Sequence, residues 1–97
     1  MDSSKETVTV DLSGSISSSN AAQLEEAIMA QLSGKDGAPL LFDASHLEYI
    51  SSAGLRAFKH LYMDMRRKGG TLSAKNVDKA IMEVLEVTGF TRLFKFI

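Results

Sequence analysis

The stretch whose residue types and spacing could do chemistry is Ser51-Ser52-Ala53-Gly54. Two adjacent hydroxyls stand there between an apolar segment that ends at Ile50 and a long helical pattern. A serine just ahead of a helix accepts a hydrogen bond from one of the first unpaired backbone N–H groups, so either Ser51 or Ser52 can serve as the N-cap. The same place suits a second chemistry. Free amides and the positive end of the helix dipole stabilise a phosphate, so an exposed hydroxyl there can carry a phosphoryl group and act as a switch. Both readings, cap and modification site, are open on these residues.

Other chemistries have less support. His46 and His60 are far apart in sequence, and Asp43 and Glu48 read as ordinary charged neighbours, so no metal site is expected. Ser51-Ser52-Ala53-Gly54 is not the G-x-S-x-G elbow, and neither histidine has an evident orienting acid, which argues against a serine hydrolase. No GxxxxGK[ST] loop occurs, so nucleotide hydrolysis is not expected. The chain reads as a non-enzyme with no cofactor.

The elements that must position the serines are legible on either side. Leu40, Leu41 and Phe42, between Pro39 and Asp43, form an apolar run suited to a strand covered on both faces. After the turn, Leu55, Phe58, Leu61, Tyr62 and Met65 recur at three- and four-residue intervals, which predicts a helix from about Ser52 to Lys68, stopped by Gly69-Gly70. Asp43 can hold the chain that follows it through backbone N–H groups or face a partner. Tyr49, just ahead of the turn, is expected in the core, with an exposed anchoring role as the alternative.

Earlier in the chain, Val8, Val10 and Leu12 alternate with Thr7, Thr9 and Asp11, a strand with one buried face. Ser13-Gly14 then suggests a turn, and Ser15 to Ser17 a short strand paired back on the first. Ala21, Leu24, Ile28 and Leu32 mark a helix. Asn20, with Gln23 three places on, fits a capping box, and Gly34 is placed to close the helix. Beyond the glycine pair, Thr71 to Ala74 reads as a strand and Asn76 as the cap of a third helix with Val77, Ile81, Val84, Leu85 and Thr88 on one face, ended by Gly89. Phe90, Leu93, Phe94, Phe96 and Ile97 make an apolar tail that must pack on the core. Met1 to Glu6 reads as a loose polar end. Strands alternating with helices imply an α/β domain with a mixed, partly parallel sheet.

Composition bounds the rest. Ninety-seven residues, 44% hydrophobic and 24% charged, suit one globular domain with a single core. The chain has no cysteine, so disulfides and thiolate metal sites do not arise. No apolar run approaches the roughly 20 residues that span a bilayer, and the polar opening is not a signal peptide, so a cytoplasmic protein is expected. A net charge of -1 gives no general attraction to nucleic acid or anionic membrane. The charge is uneven, however: residues 1–50 carry eight acidic and two basic side chains, and residues 51–97 four acidic and nine basic, so the sign reverses at the serine turn. Arg66-Arg67-Lys68 reads as the solvated end of a helix, where cations complement the dipole.

The segment LLFDASHLEYISSAGLRAF, preceded by VTVDLSGSIS and NAAQLEEAI and followed by RRKGGTLSAKN and VLEVTGF, resembles a STAS domain of the bacterial anti-sigma factor antagonist type. The likeness runs through nearly the whole chain in order. It implies a single STAS domain over residues 1–97 that works as a monomer in a partner-switching pathway. Members of this type bind an anti-sigma factor that is also a serine kinase of the histidine-kinase-like ATPase fold, let go when phosphorylated on one serine, and are restored by a PP2C-type phosphatase. Their modified serine sits in a pattern Asp-Ser-Ser-Gly or Asp-Ser-Thr-Gly, which aligns the phosphorylated position with Ser52. This chain departs from the pattern twice, with Ser51 in place of the aspartate and Ala53 in place of the second hydroxyl, and Ser51 is the alternative acceptor. The resemblance implies a partner surface over Ser51, Ser52, Ala53, Gly54, Arg56, Asp43, Tyr49 and Asn20, with Arg56 facing either a phosphate or the partner. The departure leaves a second expectation: a constitutive STAS scaffold, or a subunit of a lipid-transport or stress-signalling complex, in which the serines only cap the helix.

Overall fold

A computed structural model describes residues 6–97. The loose end expected at Met1 to Glu6 lies outside them, except for Glu6, which is exposed. The alternating segment is strand β1, Val8–Ile16, and it runs on without reversing. It pairs in parallel with β2, Leu40–Ile50, which pairs in parallel with β3, Leu72–Lys75, and that in turn with β4, Lys95–Phe96. The sheet order is β1-β2-β3-β4. Helices α1, Ala21–Leu32, α2, Ser52–Arg67, and α3, Lys79–Val87, fill the crossovers, and a short 3-10 turn, Phe90–Arg92, leads into β4.

The hairpin expected at Ser13-Gly14 does not form. Gly14 does take the left-handed φ of +67° that a turn would use, but here it accommodates an irregularity in a continuing strand. The register against β2 slips between Asp11 and Ser13 and again between Gly14 and Ser15, each time with one extra residue on β2, so the greater length of β2 is absorbed as bulges facing β1. With no hairpin, every ladder in the sheet is parallel. The apolar run at Leu40 to Phe42 is likewise only the start of a strand of 11 residues.

The core lies between the sheet and its helices. Val8, Val10 and Leu12 of β1, Leu40 and Phe42 of β2, and Leu72 and Ala74 of β3 are buried. Phe42 stacks on Phe58 of α2 with centroids 4.9 Å apart, and Phe94 closes the group at 5.9 Å from Phe42 and 5.7 Å from Phe58. Phe90 meets Phe94 edge-on at 5.8 Å. The apolar tail is thus folded into the core up to Phe94, whereas Ile97 is 69% exposed. Offset and edge-on ring pairs of this kind add about 0.5–1.5 kcal/mol each beyond the area they bury.

Two caps differ from the sequence expectation. Asn20 occupies the N-cap of α1 but makes no side-chain cap bond, because its amide is used on the turn before it. Helix α3 is capped by Asp78, whose Oδ1 accepts from the Ile81 N–H at 2.9 Å. Asn76 takes a left-handed φ of +59° ahead of it. Helix α2 ends where its glycines predict, and Gly69 has φ +81°. In its last turns the buried Asp64 pairs with Arg67 and, at 3.3 Å, with Lys68, which also reaches Asp36 of the α1–β2 loop at 3.8 Å. Two of the three cations of the Arg66-Arg67-Lys68 run therefore compensate a buried carboxylate rather than only the helix dipole.

Candidate functional site

The serine turn is built by the ends of two parallel strands. Ile16 pairs with Ile50, and the Ser51 N–H then donates to the Ile16 carbonyl at 2.8 Å, tying the start of α2 to the end of β1. Ser51 is the N-cap. Its hydroxyl accepts from the Gly54 N–H at 3.1 Å, its carbonyl takes the first helical bond from the Leu55 N–H at 2.9 Å, and the residue is half-buried. Ser52 is the first helical residue and is exposed. The two hydroxyls are thus divided by geometry into one engaged in holding the helix end and one facing solvent at its positive pole.

Gly54 makes this closeness possible. A Cβ there would meet Ile16 Cγ2 at 2.7 Å and Ile50 Cγ1 at 2.8 Å, both inside any real contact distance. Glycine lets the first turn of α2 sit directly against the strand ends and so fixes Ser52 at the rim of the sheet. Ala53 is half-buried beside it, and Arg56, one turn on, is exposed with no ion pair among the described residues.

The neighbouring turn, Ser17 to Asn20, shares this rim because it leaves β1 immediately after Ile16. Asn20 organises it: its Oδ1 accepts from the Ser17 N–H at 2.9 Å and its Nδ2 donates to the Ser15 carbonyl at 2.9 Å. The hydroxyls of Ser17 and Ser19 lie 2.8 Å apart. Tyr49 pairs in register with Ser15 and is 56% exposed, so it presents its ring at the rim and not to the core. Its neighbours Leu47 and Ile50 take the inward positions instead.

Asp43 stands apart from this group. It lies seven residues before Ile50 on β2, roughly 20 Å away at the rise of a strand. There it accepts from Asn76 Nδ2 and from the Ser45 N–H, both at 3.1 Å, and these bonds hold its carboxyl below the usual value of 3.8. Its visible work is to join β2 to the end of β3. The sequence offered no signal for Ile16, whose carbonyl and side chain both brace the turn, since that role follows only from the parallel pairing. Among the described residues no three His, Asp or Glu side chains stand close enough to hold a metal ion, and no helix is long and apolar enough to cross a membrane.

Comparisons with known proteins agree on the fold. A Bordetella bronchiseptica protein with the provisional name anti-sigma factor antagonist BtrV is 36% identical over 83 residues, covering 86% of this chain and 71% of its own. The crystal structure of an anti-sigma factor antagonist from Mycobacterium paratuberculosis superposes with a TM-score of 0.78 at 26% identity, over 93% of this chain and 75% of that one. SpoIIAA, an anti-sigma factor antagonist solved in its unphosphorylated form, gives a TM-score of 0.81 at 16% identity over 100% of this chain and 84% of its own. Its phosphorylated form, described as a Bacillus cell fate determinant, gives 0.73 at 15%, over 100% and 87%. Residues 1–95 match the family described as Mlab, STAS domain, and with that match over a four-stranded sheet and a serine-capped second helix the chain belongs to the STAS domain family.

Proposed function

We propose that this protein is an anti-sigma factor antagonist controlled by phosphorylation of Ser52. In the unmodified state it binds an anti-sigma factor that is a serine kinase of the histidine-kinase-like ATPase fold. Phosphate on Ser52 releases that partner, and a PP2C-type phosphatase restores binding. The protein acts in the cytoplasm by binding and not by turnover. The observation that carries this reading is the division of labour at the turn: Ser51 Oγ is committed to the Gly54 N–H, while Ser52 is exposed at the helix N-terminus.

The energetics suffice without refolding. Moving a binding equilibrium from 1:99 to 99:1 takes about 5.5 kcal/mol of differential affinity. A phosphoserine brings roughly 1.5 to 2 negative charges at pH 7, and desolvating them in a contact without a matching cation costs several kcal/mol. Within the free domain the helix N-terminus and Arg56, four residues on, can carry the same charge.

The test is to incubate the protein with the anti-sigma factor kinase of its own genome and ATP, then locate phosphate by mass spectrometry. Phosphate is expected on Ser52 in the wild type and in Ser51→Ala, and is expected to vanish in Ser52→Ala. Label retained in both single variants overturns the assignment. Ser52→Asp is expected to bind the kinase more weakly than the wild type. The absent aspartate at position 51 favours one second reading, a constitutive STAS scaffold within a larger complex, which predicts stable co-purification with a non-kinase partner and no response to Ser52→Asp.

A further inference from the structure

The cations at the end of α2 divide in two. Arg67 and Lys68 hold Asp64, but Arg66 turns away and donates to the Tyr62 hydroxyl at 3.1 Å. In that position it lines an open trough of about 500 Å³ between the end of α2, the start of β3 and the segment leading into β4. Arg92 and Lys95, both exposed, stand on the same trough. Among the described residues no acidic side chain lines it and none of these three cations has a carboxylate partner. Its floor is apolar, made by Met65, Leu72 and Phe94.

We infer that this trough docks an acidic and apolar segment of a partner protein, an extended stretch in which glutamates or aspartates flank leucine- or phenylalanine-like side chains. Charge complementarity carries the choice: three uncompensated cations over a concave apolar floor match an anion with an apolar body. Two features favour a chain segment over a small molecule. The cations come from three separate elements, so they suit several carboxylates strung along a backbone better than one compact anion. The trough is also open to solvent and not an enclosed cavity, whereas small-molecule sites bury most of their ligand. The excess of basic residues after position 50 would steer such a segment on approach.

The site is distinct from the serine turn. Tyr62 and Arg66 lie ten and fourteen residues along α2 from Ser52, about 15–21 Å at the rise of a helix. Occupancy of the trough and modification of Ser52 are therefore separable.

The experiment is an amide NMR titration of the full chain with a short synthetic peptide in which glutamates flank leucine and phenylalanine. Shifts are expected at Arg66, Leu72 and Arg92 to Lys95, with affinity falling as salt is raised. The double variant Arg66→Glu, Arg92→Glu and, separately, the single variant Lys95→Glu should each keep a folded amide spectrum, because the residues are exposed, and should weaken the peptide about tenfold or more. Ser52→Asp should bind it like the wild type, which separates this result from any failure of the phosphorylation reading. The inference is overturned if no shifts appear, if they centre on residues 51–56, if the charge reversals leave affinity unchanged, or if a glutamine-for-glutamate peptide binds equally well.

Discussion

Replacing Gly54 with alanine tests whether the contact between α2 and the strand ends fixes the serine turn. On helix propensity alone the change should help, since alanine is favoured over glycine in a helix interior by about 0.8–1.0 kcal/mol. Gly54 has no left-handed backbone angle that an alanine would strain. Packing opposes that gain. The new Cβ would stand 2.7 Å from Ile16 Cγ2, 2.8 Å from Ile50 Cγ1 and 3.4 Å from Ile16 Cβ. These are not the free ends of flexible side chains: both isoleucines are branched next to the backbone, buried, and stiff at χ1. The helix must therefore move, and overpacking of this kind costs roughly 1–3 kcal/mol. Gly54 is only the third residue of α2, where little of the interior propensity gain is realised, so a net loss of about 1–2 kcal/mol is expected, which for a domain of this size lowers Tm by roughly 5–15 °C. Thermal unfolding followed by circular dichroism reads the effect directly. Combining the change with Ile16→Ala should show a favourable coupling in a double-mutant cycle, because that truncation removes the nearest atom. An unchanged or higher Tm for Gly54→Ala would refute the argument that close approach positions Ser52.

Three further expectations follow from the same geometry. Ser51→Ala removes the α2 cap and should cost about 1 kcal/mol in urea unfolding, while Ser52→Ala should stay within about 0.5 kcal/mol, since its exposed hydroxyl makes no hydrogen bond among the described residues. Asp43, whose carboxyl is held low first by Asn76 and then by Ser45, contributes stability that is present above its ordinary value of 3.8 and is lost as pH falls through the lowered folded value. Asn76→Ala should raise the Asp43 titration midpoint toward 3.8 in a carboxyl-carbon NMR titration and flatten the acid limb of the stability curve. At Asp64, removing both Arg67 and Lys68 strands a carboxylate that is only 5% exposed and should cost about 3–5 kcal/mol, whereas Asp64→Leu, which frees two cations that can reach water, should cost much less. The reverse order in denaturant midpoints would mean that the cations do not compensate that charge.

How far the sequence could be read depended on whether a signal was local. The stripe Phe58, Leu61 and Met65 of α2 is buried as its spacing predicts, because a helix face is set by residues three and four apart. Gly14 shows the opposite case. The same serine-flanked glycine with positive φ serves a hairpin or a strand that runs on past a bulged partner, and only the presence of β2 alongside decides between them. The far half of β2 was hidden for a related reason: its buried residues Ala44, Leu47 and Ile50 come every third place, because the bulges rotate the strand, and the period of two that betrays a strand is lost. Asn76 and Asp78 are both good caps by type, and the left-handed turn at Asn76 moves the start of α3 to the later one. The trough could not be seen at all, since Arg66, Arg92 and Lys95 are brought together only by the crossover into β4.

Because each strand is laid beside the one made before it, the sheet can be assembled in the order in which the chain leaves the ribosome, by accretion at one growing edge. The aromatic cluster sets a limit on that process. Phe42 and Phe58 are synthesised before the ring that covers them, Phe94, so the nascent domain presents an unsealed apolar face until Phe94 has emerged. Truncation near residue 90, which removes Phe94, is therefore expected to leave the face formed by Phe42 and Phe58 uncovered.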